Sequence, residues 1–136
     1  VDDLSRILTS CGVGCTISSH YFNHLFYADD LVLMCPSAKG LQRLINICHD
    51  YSLKHSISFN PKKTVCLSFI PRCLNINSAP SIYLDGKPIP FKDSCKYLGV
   101  FISHNFTDDD DIARQLRSFY IRMNFLLRNL NLALQM

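Results

Sequence analysis

Apolar and polar residues alternate along this chain in two periods, and the switches between them mark out the elements. At the N-terminus Leu4, Ile7 and Leu8 lie on one side of a helical turn, so residues 1–8 read as a helix end with Asp2 and Asp3 at its solvated start. Gly12 and Gly14 then mark a turn, and residues 15–20 read as one strand. Leu25-Phe26-Tyr27 and Leu31-Val32-Leu33-Met34 form two short apolar runs around Ala28-Asp29-Asp30, the pattern of a buried hairpin with a tight turn. Pro36 closes the second arm and Ser37 is placed to cap a helix. Leu41, Leu44, Ile45 and Cys48 follow at helical spacing, which carries that helix to about His55.

Alternation resumes at Ile57 and Phe59, turns at Asn60-Pro61, and returns in Val65, Leu67 and Phe69, predicting a strand over 64–70. A loop spans 71–80. Ile82-Tyr83-Leu84, Asp85-Gly86 and Lys87-Pro88-Ile89 read as a hairpin, because Asp-Gly suits a turn with positive φ, and the prolines confine its second arm to an edge. Residues 95–102 form a further strand or hairpin interrupted at Gly99. From Thr107, the expected N-cap, the pattern is helical nearly to the end. Asp108–Asp111 fall in the first turn, at the positive end of the helix dipole. Ile112, Leu116, Phe119, Met123, Leu126, Leu127, Leu130 and Leu134 make one wide apolar face, with Arg114, Arg117 and Arg128 opposite.

Composition changes this picture little. The 136 residues are 48% hydrophobic and 18% charged, which places the chain among globular proteins. A net charge of +3 is compatible with nucleic acid without indicating it. The 7 cysteines lack a CxxC pair, and only Cys11/Cys15 and Cys48-His49 approach zinc-ligand spacing, so reduced core thiols in an intracellular protein, of nucleus or cytoplasm, are the expectation. No apolar run is long enough to span a membrane. The acidic step Asp29-Asp30 does change the picture. Carboxylates carried to the tip of an apolar hairpin need a partner, and two side by side suggest a divalent cation.

Tyr27-Ala28-Asp29-Asp30 resembles the catalytic motif of reverse transcriptases, in the form found in non-LTR (LINE-type) retrotransposons and group II introns. The order of later features is similar to that family as well. A helix follows the hairpin, then Asn60-Pro61-Lys62-Lys63-Thr64 matches an Asn-x-x-Lys-Thr turn. Lys96-Tyr97-Leu98-Gly99 matches a primer-grip segment, and residue 107 onward fits the helix that begins the thumb. The resemblance implies an α+β fold, with part of a polymerase palm over 1–106 and the start of a thumb helix over 107–136.

It also implies roles. Asp29 would be the principal magnesium ligand and Asp30 the accessory carboxylate, with Mn2+ as a substitute ion. Tyr27 and Ala28 would lie by the primer end or nucleotide, and Leu98 and Gly99 would set the primer terminus. Lys63 would serve the leaving pyrophosphate. Lys62, Arg114, Arg117 and Arg128 would contact nucleic acid, the partners being an RNA template, a DNA primer and a dNTP. The family's remaining catalytic aspartate and its fingers would belong upstream of Val1, so the resemblance reads this chain as a palm-and-thumb fragment that needs them for activity. The alternatives are a non-catalytic relic or co-opted module that binds nucleic acid, and a metal-dependent hydrolase pairing Asp29 and Asp30 with Asp108–Asp111.

Overall fold

A computed structural model describes residues 2–69, 80–105 and 107–133, with side chains described as far as 128. Cys73, nearly all of the 71–80 loop, Ile70 and the side chains of Leu130 and Leu134 lie outside the described residues. The chain folds as α+β, with helices and short antiparallel hairpins. It forms two compact units, one of Val1–Cys66 with Asn77–Pro90, the other of Leu67–Ile76 with Phe91–Met136.

The first unit opens with α1 (Asp2–Ser10), which buries Leu4 and Leu8. Next come β1 (Cys15–Ile17) and β2 (His20–Phe22), where one strand was expected. The turn between them is Ser18-Ser19, both at positive φ (44° and 71°), a conformation usually signalled by Asn-Gly. Two serines carry no such signal, which is why the hairpin is invisible to local pattern. β3 (His24–Tyr27) and β4 (Asp30–Leu33) pair as predicted. α2 (Ala38–His55) also starts and stops where expected, with the Ser37 side chain accepting the Gly40 N–H and Ser56 closing it in a left-handed conformation at φ 54°. β5 (Tyr83–Leu84) and β6 (Lys87–Pro88) turn at Asp85-Gly86, both residues at positive φ.

The strand expected over 64–70 is corrected by the structure. Among the described residues it forms an isolated bridge at Cys66, whose N–H donates to the Pro90 carbonyl at 2.9 Å, and no continuous ladder. A ladder needs alternating donors from its neighbour, and the facing segment carries Pro88 and Pro90, which have none.

The core of this unit lies on both flanks of α2. Leu44 and Cys48 pack with Leu4 and Leu8 of α1, and Phe26, Leu31 and Leu33 of the β3–β4 hairpin close against them. Ile45 packs instead with Cys66, Ile82, Leu84 and Ile89, and Leu33 and Phe59 touch both clusters. β5 is tied to α2 by a side chain acting as a strand. The Gln42 amide accepts the Tyr83 N–H and donates to the Tyr83 carbonyl, both at 2.8 Å, which satisfies the outward edge of that hairpin.

The second unit contains β7 (Ser94–Tyr97), β8 (Val100–Ser103) and α3 (Asp109–Ala133). Leu98-Gly99 is the two-residue loop, with φ values of 47° and 88°. Thr107 does not cap α3. Its N–H and hydroxyl both donate to Asn105 Oδ1, and the Asp108 carbonyl accepts the first helical bond, from Ile112. The apolar face of α3 is solvent-facing: Ile112, Leu116, Phe119 and Leu126 are each about half exposed. No described helix is long and apolar enough to cross a membrane.

Candidate functional site

Register fixes the geometry of the hairpin tip. Tyr27 faces Asp30 as the closing pair of β3 and β4, leaving Ala28-Asp29 as the loop. Ala28 sits at φ 49°, a left-handed conformation that costs an L-residue with a side chain about 1–2 kcal/mol. Strain of this kind, held in place by surrounding structure, gathers at functional sites. Because side chains alternate, Phe26, Leu31 and Leu33 point to the α1–α2 core while Leu25 and Tyr27 face solvent, at 47% and 62% exposure. Tyr27 and Asp30 are therefore neighbours on the outer face, next to Asp29 in the loop.

Asp29 and Asp30 are both exposed, and neither side chain has a hydrogen bond or ion pair among the described residues. Two free, adjacent hard-oxygen donors fit a magnesium ion, which takes one or two carboxylates and fills its octahedron with water and phosphate oxygens. They do not make an all-protein cage: no group of three or more His, Cys, Asp or Glu among the described residues could hold a metal.

The base of the hairpin is built around Asn23, a residue the sequence analysis passed over. Asn23 is 2% exposed; its Nδ2 donates to the Leu8 carbonyl at the end of α1 and to the Val13 carbonyl. With that nitrogen fully used as donor, Oδ1 accepts from His24 Nδ1–H at 2.6 Å. Nε2 of neutral His24 then accepts the Ser5 hydroxyl at 2.7 Å. The backbone carbonyl of Asn23 takes the Met34 N–H, one step beyond β4. α1 and the hairpin are thus joined through two side chains. An asparagine in a Tyr-Phe-Asn-His run reads as a turn residue, and nothing local tells that reading from a buried hub.

Burial holds His24 below the ordinary imidazole value of 6.5. The folded state therefore binds fewer protons than the unfolded chain below that value, and the stability held by neutral His24, fully present above pH 6.5, is lost as pH falls below it through the lowered folded value. Denaturant midpoints measured from pH 8 to 5 are expected to decline for the native chain. His24→Gln should flatten that decline, and an unchanged slope would refute the assignment.

The other predicted residues lie on separate turns. Asn60 organises the Lys62-Lys63 turn: its Oδ1 accepts the Lys62 N–H, and its carbonyl accepts the N–H groups of Lys63 and Thr64 and the Thr64 hydroxyl. Both ammonium groups are exposed in the same unit as Asp29, and neither has a hydrogen bond or ion pair among the described residues. Leu98 and Gly99 lie at the β7–β8 turn of the second unit, and the turn's neighbour is Arg114. The Arg114 guanidinium is engaged within the chain, donating to the Gly99 carbonyl and to Asp111 at 2.8 Å each. Arg117 and Arg128 stay exposed on α3.

Asp111 differs from the three aspartates before it. It is buried at 6% exposure, and hydrogen bonds from Gln115, Arg114 and the Phe101 N–H hold its carboxyl down at about 2. Asp108–Asp110 stay exposed at the helix start. Cys48 and Cys66 are buried, and burial pushes both thiols up, Cys48 to about 12, so they are neutral core groups.

A profile of the family described as reverse transcriptase (RNA-dependent DNA polymerase) matches residues 2–102. Over 83 residues the chain is 29% identical to the retrovirus-related Pol polyprotein from type-1 retrotransposable element R1 of Bradysia coprophila, covering 57% of this chain and 8% of that protein. No solved structure gives a significant match.

Proposed function

From the premise that this chain belongs to the reverse transcriptases, of the non-LTR, LINE-type kind, we propose that it carries part of the nucleotidyl-transfer site of an RNA-directed DNA polymerase. The observation that carries this reading is the unpartnered pair formed by Asp29, in a strained two-residue loop, and Asp30, which closes it opposite Tyr27. Asp29 and Asp30 would hold magnesium, with manganese able to substitute. When bound, such an ion pair stabilises the attacking 3′-hydroxyl oxygen and the leaving oxygen of the nucleotide.

The residues of the chain then divide the remaining work. Tyr27, on the face of Asp30, meets the primer end or nucleotide base with its exposed ring. Lys63 neutralises the leaving pyrophosphate or gives it a proton, from a turn whose backbone Asn60 holds. Leu98 and Gly99 set the primer terminus. Lys62, Arg117 and Arg128 contact phosphates without reading sequence. With only two carboxylates at the tip, the reading calls for a further carboxylate from another segment. Both outer edges of the β3–β4 hairpin are open for it, since the backbone groups of Phe26 and Leu31 turn outward and meet no other strand among the described residues.

The test is RNA-templated dNTP incorporation by this chain joined to the palm and fingers of its own reading frame. Magnesium-dependent extension of a DNA primer is the expected result. Template binding without extension would overturn the polymerase reading and leave a co-opted nucleic-acid binder.

A further inference from the structure

In the β7–β8 hairpin Tyr97 and Val100 close the loop, so the next pair, Lys96 and Phe101, turns its backbone groups outward. On the β8 side these groups meet α3. The Phe101 N–H donates to Asp111 Oδ1 at 3.0 Å, and the Gly99 carbonyl accepts from Arg114 Nη2 at 2.8 Å. The same Oδ1 receives Arg114 Nε at 3.0 Å and Nη2 at 2.8 Å, and Oδ2 receives Gln115 Nε2 at 2.9 Å. The Arg114 guanidinium also lies over the Phe101 ring, 5.8 Å from its centre. Residues i, i+3 and i+4 of one helical turn thus behave as a short third strand on this edge, gripping the chain on both sides of Val100.

The turn so gripped is a costly one. Leu98 adopts φ 47° and still presents a side chain that is 48% exposed at the tip. A leucine held left-handed and half in water gains little for its own fold, and surrounding contacts must hold it there. We propose that Asp111, Arg114 and Gln115 are positioning residues that lock the Leu98-Gly99 turn onto the start of α3 and so set where that turn meets the primer end. This inference rests on the primer-contact reading given above for Leu98 and Gly99. It accounts for an arginine that points into its own chain on an otherwise exposed helix, and for the one aspartate of four that is buried.

The experiment compares binding of the full chain to a recessed primer–template and to a blunt duplex of equal length, by fluorescence anisotropy across a salt series. Arg114→Lys keeps the charge and loses the planar fork; Asp111→Asn keeps the shape and loses the charge. Circular dichroism shows whether each variant is folded. Arg114→Lys leaves Asp111 with its Phe101 and Gln115 bonds, and so decides the matter if Asp111→Asn unfolds.

The expected result is that Arg114→Lys binds blunt duplex as the native chain does, with the same salt slope. Its preference for the recessed end should fall by about tenfold, less than the roughly hundredfold that a 1 Å misplacement of reacting groups costs. Preference retained in the variants overturns the positioning role. Equal weakening on both duplexes also overturns it, because Arg114 would then be a direct phosphate contact. A native chain with no preference for the recessed end overturns the primer-contact reading itself, whatever the variants do.

Discussion

Asp29→Asn is expected to lower RNA-templated incorporation by more than about 100-fold in the completed enzyme, and to leave its unfolding midpoint unmoved. Loss of a partner that merely orients a metal ligand already costs about 10–100-fold; loss of the ligand's charge must cost more. The two halves of this expectation are independent because of how the tip is built. Asp29 is exposed and without a side-chain partner, so its replacement removes no contact from the fold. Exposed substitutions of this kind stay within about 0.5 kcal/mol. Asn also tolerates the loop, and removing one of two adjacent negative charges relieves repulsion when no cation is present. Asp30→Asn should cost less activity than Asp29→Asn, as an accessory ligand would. Single-nucleotide incorporation rates at saturating magnesium, set beside thermal unfolding of the same samples, make the check. Full activity of Asp29→Asn would end the assignment of this tip as a catalytic site.

Asn23→Leu is expected to have the opposite profile, a large loss of stability caused far from the tip. The substitution keeps the volume and removes an amide that is 2% exposed. It takes the short amide bond from the Leu8 and Val13 carbonyls, leaving them the longer ones from Cys11 N–H (3.4 Å) and Cys11 Sγ (3.8 Å), and takes the acceptor from His24 Nδ1–H. A buried polar group that loses its partner costs about 1–3 kcal/mol, and one that keeps a longer bond costs the lower end of that range. The sum is therefore about 3 kcal/mol or more, against a total stability of roughly 5–15 kcal/mol for a domain. A urea titration reads the change as a fall in midpoint at constant slope. Asn23→Asp sharpens the test: a carboxylate facing two carbonyls should be at least as damaging at neutral pH and should recover as pH falls and the group protonates. A midpoint within 1 kcal/mol of the native value for Asn23→Leu would show that α1 and the hairpin are not joined through this amide.

These two residues also show where sequence reading reaches and where it stops. Asp29 was legible because its signal is local: two apolar runs, a short polar interruption, and a carboxylate pair that has no reason to sit there without a cation. The α2 helix was legible for the same reason, Ser37 and the spacing of Leu41, Leu44, Ile45 and Cys48 lying within a few turns of one another. Asn23 was not, since its partners Leu8 and Val13 stand 15 and 10 residues away. The β1–β2 hairpin was missed because Ser18-Ser19 does by constraint what Asn-Gly does by preference. The strand expected over 64–70 failed because alternation describes one chain, and a ladder also requires donors from its neighbour, which Pro88 and Pro90 lack.

The sequence by itself determined the α+β character, the placement of Asp29 and Asp30 at a hairpin tip, and the family to which the chain belongs. Period, turn dipeptides and motif order are properties of short stretches and survive being read one residue at a time. Only the tertiary structure decided which of four consecutive aspartates turns inward. It also decided that Arg114 grips the Gly99 carbonyl while Arg117 and Arg128 remain in solvent. Identical side chains on one helix differ there in what the fold brings against them. For Asp111 and Arg114 that is the open edge of β8, where the half-buried Phe101 N–H and the Gly99 carbonyl have no strand partner and take these side chains instead.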